Sequence, residues 1–514
     1  VSDRWSLVET VQSRLAEEQG AIVREADLQV ALCYPSPYHV GMSSLGFQTI
    51  YREIHAHPGC AAERAFLPDD VAAWRESGTP LFTYERQRSV GELPMLAFSV
   101  SYELEVAGVC EMLDLAGLPI LSSDRRPSDP LIVMGGPLTF SNPLPLALFA
   151  DVLVLGEAEE LIHTLLDLML EGTSRAELLD RLAKLPGFYV PGRSLALGVV
   201  AKADDDRLPA RSQILTPHTE LRSMFLIEPE RGCSRGCTYC VMRRSTNGGM
   251  RTVSPERVLE LVPAEAKRVG LVGAAVTDHP ELPELLEALI EGGKQVGVSS
   301  LRADRLSARL VGLLKAAGAR SITTAADGAS ERLRRALDRK TTETQLERVA
   351  QLTRDNGLAH LKLYLMVGIP GETDDDIDEL IRFGKELSRI IPLVYGVASF
   401  VAKRNTPMDG APFEPIASLD RKLDRMRRGL KGRAEVRATS TRWAWVEYQL
   451  AQCGPEAGLA AMDAWRAGGS FAAWKRAVKE RGLQPHEAKR VEDGRLRLPT
   501  LAAWPSISPA PLPG

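Results

Sequence analysis

Cysteine is scarce in this chain. Seven occur in 514 residues, an odd number, and four of them (Cys33, Cys60, Cys110, Cys453) are scattered, so a disulfide framework is not what supports the fold. Long apolar runs are missing as well: no stretch of about 18 uncharged apolar residues occurs, which excludes a single-helix membrane span. The first residues are charged and carry no hydrophobic signal core, and the expectation is a cytoplasmic protein. Neither sign of charge dominates, the formal net charge being -4, so the composition does not advertise a nucleic-acid polyanion as partner. There is no internal repeat and no long low-complexity segment, only a proline-rich tail from Pro505 to Pro513.

Against that scarcity, the remaining three cysteines stand out. Cys233, Cys237 and Cys240 are spaced C-x3-C-x2-C among glycines in Glu228-Pro229-Glu230-Arg231-Gly232-Cys233-Ser234-Arg235-Gly236-Cys237-Thr238-Tyr239-Cys240. Three thiolates on one tight loop can wrap an iron–sulfur cluster but leave one corner of a cubane unfilled, and therefore open to a cofactor or substrate. The competing reading is structural zinc, which wants four ligands, usually as two pairs on separate ribbons. No second pair follows here, and His279 and His360 fall in other segments.

The surrounding pattern is α/β. Short apolar runs at Leu28 to Tyr34, Leu96 to Val100, Leu131 to Met134 and Asp151 to Leu155 alternate with helical segments, which predicts an N-terminal doubly wound parallel sheet over 1–185. Its ligand crevice should lie beyond the carboxyl ends of the strands. A connector over 186–223, rich in proline and acidic residues, leads to serial strand–helix units over 224–408, as in a partial (β/α) barrel whose functional loops follow the strands. Residues 409–514 read as a C-terminal helical region, with a basic run from Arg421 to Arg433 that could face RNA or could be a solvated helix face.

The cysteine loop, with Tyr239 before its last cysteine, resembles the signature of the radical S-adenosylmethionine (SAM) superfamily. The resemblance implies a 4Fe-4S cluster held by Cys233, Cys237 and Cys240, with SAM chelating the fourth iron. One-electron reduction would cleave the sulfonium and yield a 5'-deoxyadenosyl radical. A one-electron donor such as flavodoxin or ferredoxin is the implied partner. Further matches imply further cofactor contacts. Ser299 and Arg302, in Val298 to Asp304, resemble the family's strand that meets the SAM carboxylate, although Arg302 could instead cap a helix or pair with Asp304. Asp327 stands where relatives carry Ala-Pro-Glu-Ala-Gly-Ser, with Ala326 and Asp327 replacing Pro and Glu. Gly368, Pro370, Gly371 and Glu372 match the stretch that packs on adenine. Where many members show Gly-Gly-Glu for the methionine amine, this chain has Gly273-Ala274-Ala275, which leaves Thr277 and Asp278 as candidates.

The first domain resembles the cobalamin-binding domains that precede such barrels. Gly41 and Ser43 after the first strand, Ser99, Ser101 and Tyr102 after a later one, and Gly135 and Gly136 carry the resemblance and would contact a corrin. The Asp-x-His-x-x-Gly signature is missing around His39, so no protein imidazole is expected on cobalt. The resemblance implies a cobalamin-dependent radical SAM enzyme, most simply a methyltransferase to an unactivated carbon or to phosphorus. The alternatives are a radical rearrangement, cyclisation or oxidation without methyl transfer, and an RNA- or ribosome-directed modifier or binding protein. The sequence names no substrate.

Overall fold

The computed structural model describes residues 4–242, 249–299 and 301–485; Ser300, the tail from 486 and its prolines lie outside them. The chain forms two compact units, one comprising residues 4–223 and 449–485 and the other residues 224–448. No helix among the described residues is long and apolar enough to cross a membrane.

The first unit is built on a six-stranded sheet of order β2-β1-β3-β4-β5-β6. The strands are β1 (Leu28–Tyr34), β2 (Cys60–Phe66), β3 (Met95–Ser99), β4 (Leu131–Gly135), β5 (Val152–Val154) and the short antiparallel β6 (Phe188–Tyr189). Pairings among the first five are parallel. Their near-continuous apolar runs follow from burial on both faces, and β1 is buried at every position. The order reverses between β1 and β3, so the crevice of this doubly wound sheet lies at the carboxyl ends of those two strands. Helix Leu45–Ala56, capped by the Ser44 hydroxyl accepting from the Phe47 N–H, packs with Glu159–Leu170; Glu105–Leu115 packs with Glu456–Arg466.

That last pairing departs from the expected domain plan. Between β4 and β5 the chain makes only 3-10 turns, Pro137–Phe140 and Leu144–Leu146, where a crossover helix would normally cover the sheet. Helix Glu456–Arg466 packs on the Leu144–Leu146 turn and on Glu105–Leu115 and fills that role. A Cβ on Gly458 would come within 2.1 Å of the Pro145 carbonyl oxygen. Buried Asn142 donates to the carbonyls of Leu450, Ala451 and Cys453 at 2.8 to 3.1 Å, satisfying the end of helix Thr441–Gln452. The expected helical region 409–514 is thus not one body: 409–448 belongs with the second unit and 449–485 with the first. The connector 186–223 likewise packs in the first unit, with Leu215 bridging to Gln19 and the Gln48 side chain accepting from the Gln213 N–H.

Among the described residues, the second unit has seven parallel strands in chain order: β7 (Met224–Ile227), β10 (Arg268–Leu271), β11 (Gln295–Val298), β12 (Ile322–Asp327), β13 (Leu361–Val367), β14 (Leu393–Ser399) and β15 (Ala434–Ala438). A single parallel bridge, Leu301 to Thr324, joins β11 to β12, and the result is a partial (β/α) barrel. Side chains alternate along β13: Leu361, Leu363, Leu365 and Val367 are buried, while Lys362, Tyr364 and Met366 face the open side. A hairpin of β8 (Glu230–Gly232) and β9 (Met250–Thr252) follows β7 and brackets the cysteine loop.

Candidate functional site

The cysteine loop leaves the carboxyl end of β7 through β8, the position at which barrel folds carry their chemistry. Cys237 is buried and Cys233 and Cys240 are half-buried. The Thr238 N–H donates to the Leu337 carbonyl at 3.0 Å and the Cys240 N–H to the Cys237 carbonyl at 3.3 Å, which fixes the last turn. Among the described residues, only the acidic Glu160, Asp204 and Asp206 bring three metal-ligating atoms within 4.8 Å of one another. The three thiols are not all within that distance of one another; they share one loop, which is what three ligands of a cubane require. Burial pushes the Cys233 thiol up and the Cys240 thiol up to about 11, so binding of iron must displace protons from neutral thiols.

A charged shelf supports the loop. The Arg302 guanidinium, 6 % exposed, makes a bidentate pair with Asp304 (3.2 and 2.7 Å) and an ion pair with Asp278. Its backbone N–H donates to Thr277 Oγ1 at 3.1 Å. Arg235 and Ser234, between the first two cysteines, donate to Asp304 and Asp278 respectively, each at 2.5 Å. Burial opposes ionisation of Asp304, but Arg302 and Arg235 outweigh it and hold the carboxyl below its ordinary range. Arg302 thus already holds two carboxylates, and the Asp304 pairing weighed from the sequence is the one the fold adopts. Thr277 and Asp278 sit beside it as its partners. Ser299 Oγ accepts from the Gly273 N–H at 3.1 Å, tying the ends of β10 and β11.

Asp327 adopts a left-handed backbone (φ +66°). Its carboxylate lies 2.5 Å from Arg339 and close to the Tyr239 hydroxyl. Buried Arg334 donates to the carbonyls of Gly328, Ala329 and Thr341 and so shapes the turn that holds it. Asp327 therefore lies beside the cysteine loop at Tyr239. Glu372, read from the sequence as a cofactor contact, has a fully buried side chain. It accepts from the Gly368 N–H at 2.9 Å and from Lys422 at 2.8 Å, bracing its own turn, in which Gly368 and Gly371 both have φ +82°. Pro370 and Gly371 are the exposed tip of that turn.

A residue with no signal in the sequence pattern is Glu230. It is fully buried, its Oε1 accepts from the Ala275 N–H at 2.7 Å, and its Oε2 has no hydrogen-bond partner among the described residues. Gly273 makes room for it, since a Cβ there would lie 2.1 Å from Glu230 Oε1. Burial, with the nearby Glu228 and Asp278 charges, raises its pKa to about 7. A carboxyl raised in the folded state binds more protons there than in the unfolded chain, so its contribution falls as pH rises from about 4.3, the unfolded value, to about 7. Glu230→Gln in the cluster-free protein should therefore raise the melting temperature at pH 8, where the relief is worth about 4 kcal/mol at most. At pH 4.5 it should change little. A pH series of thermal melts checks this, and equal shifts at both pH values would refute it.

In the first unit, Ser99 and Gly135 are register partners at the ends of β3 and β4, and Gly136 (φ +100°) backs onto Val100, where a Cβ would meet the backbone at 2.7 Å. Ser101 Oγ shares a 2.8 Å hydrogen bond with Tyr34 OH from β1, and its N–H donates to buried Glu105. Tyr102 is 46 % exposed. These residues do line up at the carboxyl ends of β1, β3 and β4, as small groups beside an exposed aromatic. Gly41 has a different reason to be glycine: a Cβ there would lie 2.6 Å from the Phe66 ring, so it serves packing. Ser43 Oγ donates to the His39 carbonyl at 2.7 Å. The basic run is matched in part by its own fold: Lys422 is buried between Glu372 and Glu414, Arg425 pairs with Asp374 and Asp378, and Arg427 with Asp424.

Residues 46–191 match the family model "Radical SAM proteins, N-terminal" and residues 227–384 match "Radical SAM superfamily". The protein MJ0966 of Methanocaldococcus jannaschii is 26% identical over 414 residues, 78% of this chain and 83% of that one. The ribosomal protein uS12 methylthiotransferase RimO of Clostridioides difficile is 27% identical over 201 residues, 35% of this chain and 44% of its own length. Among solved structures, the radical S-adenosylmethionine methyltransferase TsrM from Kitasatospora setae, with tryptophan substrate and a SAM analog bound, aligns with a TM-score of 0.52 at 15% identity, covering 75% of this chain and 77% of that one. The cobalamin-dependent S-adenosylmethionine radical enzyme OxsB, with aqua-cobalamin and S-adenosylmethionine bound, aligns with a TM-score of 0.50 at 14% identity, covering 71% of this chain and 53% of that one. At these identities the structural likeness establishes the fold, a parallel α/β unit with a radical SAM barrel.

Proposed function

We propose that this radical SAM enzyme is cobalamin-dependent and transfers a methyl group to an unactivated carbon or to phosphorus. The observation that carries the reading is the cysteine loop at the carboxyl end of β7 in a chain whose fold follows TsrM over three-quarters of its length. Cys233, Cys237 and Cys240 would hold a 4Fe-4S cluster, which with SAM supplies reductive sulfonium cleavage and a 5'-deoxyadenosyl radical. Ser99, Ser101, Tyr102, Gly135 and Gly136 would receive a corrin, which supplies the methyl group.

The chain's own contribution is positioning. Tyr239, beside the Asp327–Arg339 ion pair, lies in the turn that carries Cys240. Arg302, held by Asp278 and Asp304, keeps a cation beside the loop, and the cofactor carboxylate would have to compete with these two carboxylates for it. The turn from Gly368 to Glu372, braced by Lys422, offers its exposed Pro370–Gly371 tip at the end of β13. The electron would come from a carrier such as flavodoxin or ferredoxin.

Anaerobic reconstitution with iron, sulfide and hydroxocobalamin, followed by SAM and a reductant, tests the reading. Retention of about one corrin per chain and formation of both S-adenosylhomocysteine and 5'-deoxyadenosine is the expected outcome. No retained corrin, with 5'-deoxyadenosine alone, would replace it with a rearrangement, cyclisation or oxidation.

A further inference from the structure

Within the barrel unit, the open face of β12 to β15 lines a cavity of about 350 Å³, toward the small end of ligand-sized cavities. The strand register lays out its floor in rows. Lys362 lies level with Val394 and Glu435, Tyr364 level with Gly396 and Arg437, and Met366 level with Ala398. Strands run parallel, so the Met366 row lies nearest the carboxyl ends, and Asp327, which lies close to Tyr239 of the cysteine loop, belongs to the lining at that end.

Two features of this floor bear on what it could hold. Tyr364 is 46 % exposed in a concave surface, and its ring lies over Gly396, where a Cβ would come within 2.6 Å of two ring atoms. The glycine thus makes room for an aromatic plate. Two cations flank that plate. The Lys362 ammonium sits 4.5 Å from the ring centroid and donates to Tyr364 OH at 2.7 Å. Arg437, 62 % exposed, pairs through two hydrogen bonds of 2.7 and 2.8 Å with exposed Glu435, its only ion-pair partner among the described residues, a solvent-screened carboxylate with which an entering anion competes. An exposed Lys–Tyr pair on an outer surface would be ordinary, but here the pair floors a cavity that reaches Asp327, beside Tyr239 of the cysteine loop.

We infer that this cavity takes a small substrate with a planar aromatic body and an anionic group, carboxylate or phosphate. Lys362 and Arg437 receive the anion, the Tyr364 ring stacks against the plane, and the apolar row of Met366 and Ala398 leaves the opposite end of the molecule facing the cysteine loop. The inference rests on the barrel being the site of the radical chemistry proposed above.

Isothermal titration of the anaerobically reconstituted full chain with indole-3-propionate, phenyl phosphate, indole-3-propanamide and hexanoate tests it. One of the two aromatic anions should bind about tenfold or more tightly than the neutral amide and the non-aromatic acid, and which one does so separates carboxylate from phosphate. Lys362→Gln and Arg437→Gln should each weaken that binding by about five- to tenfold, and the double variant should lose the preference for anion over amide. Equal binding of amide and acids, or a double variant that keeps the preference, would overturn the assignment. Both glutamine variants lie on the open face and leave the buried side of the strands intact, so the test does not depend on Gly396→Val, whose expected loss of binding could also follow from misfolding. Cleavage of SAM to 5'-deoxyadenosine by the same wild-type sample is measured in parallel. Its absence would refute the radical reading, whereas the preference for an aromatic anion is read from binding alone.

Discussion

Cys237→Ala is expected to abolish 5'-deoxyadenosine formation and to leave the reconstituted protein without a stable four-iron cluster. Cys237 is the buried member of the three and the central one in spacing, and its loss leaves two thiols, on either side of the gap, that burial keeps protonated until iron binds. Loss of partners that merely orient a metal ligand typically costs 10- to 100-fold, so removal of a ligand itself should exceed about 1,000-fold and fall to the assay background. Iron and sulfide analysis, the visible spectrum and the electron paramagnetic resonance of the reduced sample check this together with the activity. Cys110→Ala, which removes a buried thiol from helix Glu105–Leu115 in the other unit, should keep the full iron content. A Cys237→Ala protein with undiminished iron and cleavage would refute the cluster assignment, as would equal losses in the Cys110 variant.

The sequence was legible where a strand is buried on both faces and the apolar run is unbroken, as in β1, β3 and β4. It was illegible at β2, where Glu63 and Arg64 interrupt the run. Both are buried, Glu63 accepting from Thr83 at 2.6 Å and Arg64 bridging Glu18 and Glu85, and partners this distant in sequence leave no local signal. Strand β15 was hidden for the opposite reason: Glu435 and Arg437 alternate on an exposed face beside a strongly basic helix, and the segment reads as more helix. At the site, the cysteine spacing carried the chemistry, because three ligands on one loop are a local pattern. The residues around them depend on tertiary pairing. Arg302 looks available until Asp278 and Asp304 are placed, Glu372 looks like a contact until Lys422 arrives from 50 residues away, and Glu230 looks like surface charge until Gly273 is seen to make room for it. Gly41 carried a family pattern yet is explained by the Phe66 ring.

The C-terminal helices, where fold and sequence pattern part most widely, lead to the second strong expectation. If residues 449–485 were an appendage, removing them would cost the first unit little. Instead helix Glu456–Arg466 buries Ala457, Ala460, Ala461, Met462 and Ala464 over a crossover that has no helix of its own, and Trp465 donates from its indole to Glu111. A chain ending at Tyr448 should therefore uncover one face of the sheet and fail to hold the first unit folded, with amide protection of β1, β3 and β4 collapsing in hydrogen-exchange measurements. Point variants isolate the contact. Gly458→Val places methyl groups against the Pro145 carbonyl, with no room at 2.1 Å, and overpacking of this kind costs about 3 kcal/mol, a drop of roughly 6–12 °C in the melting of a unit this size. Asn142→Leu removes the donor to three carbonyls and should cost about 1–3 kcal/mol through the acceptors left buried. Both should lower protection in the first unit while leaving β13 and β14 of the barrel protected as before. Undiminished protection of β1, β3 and β4 in the shortened chain would show that the C-terminal helices are not part of that unit's core.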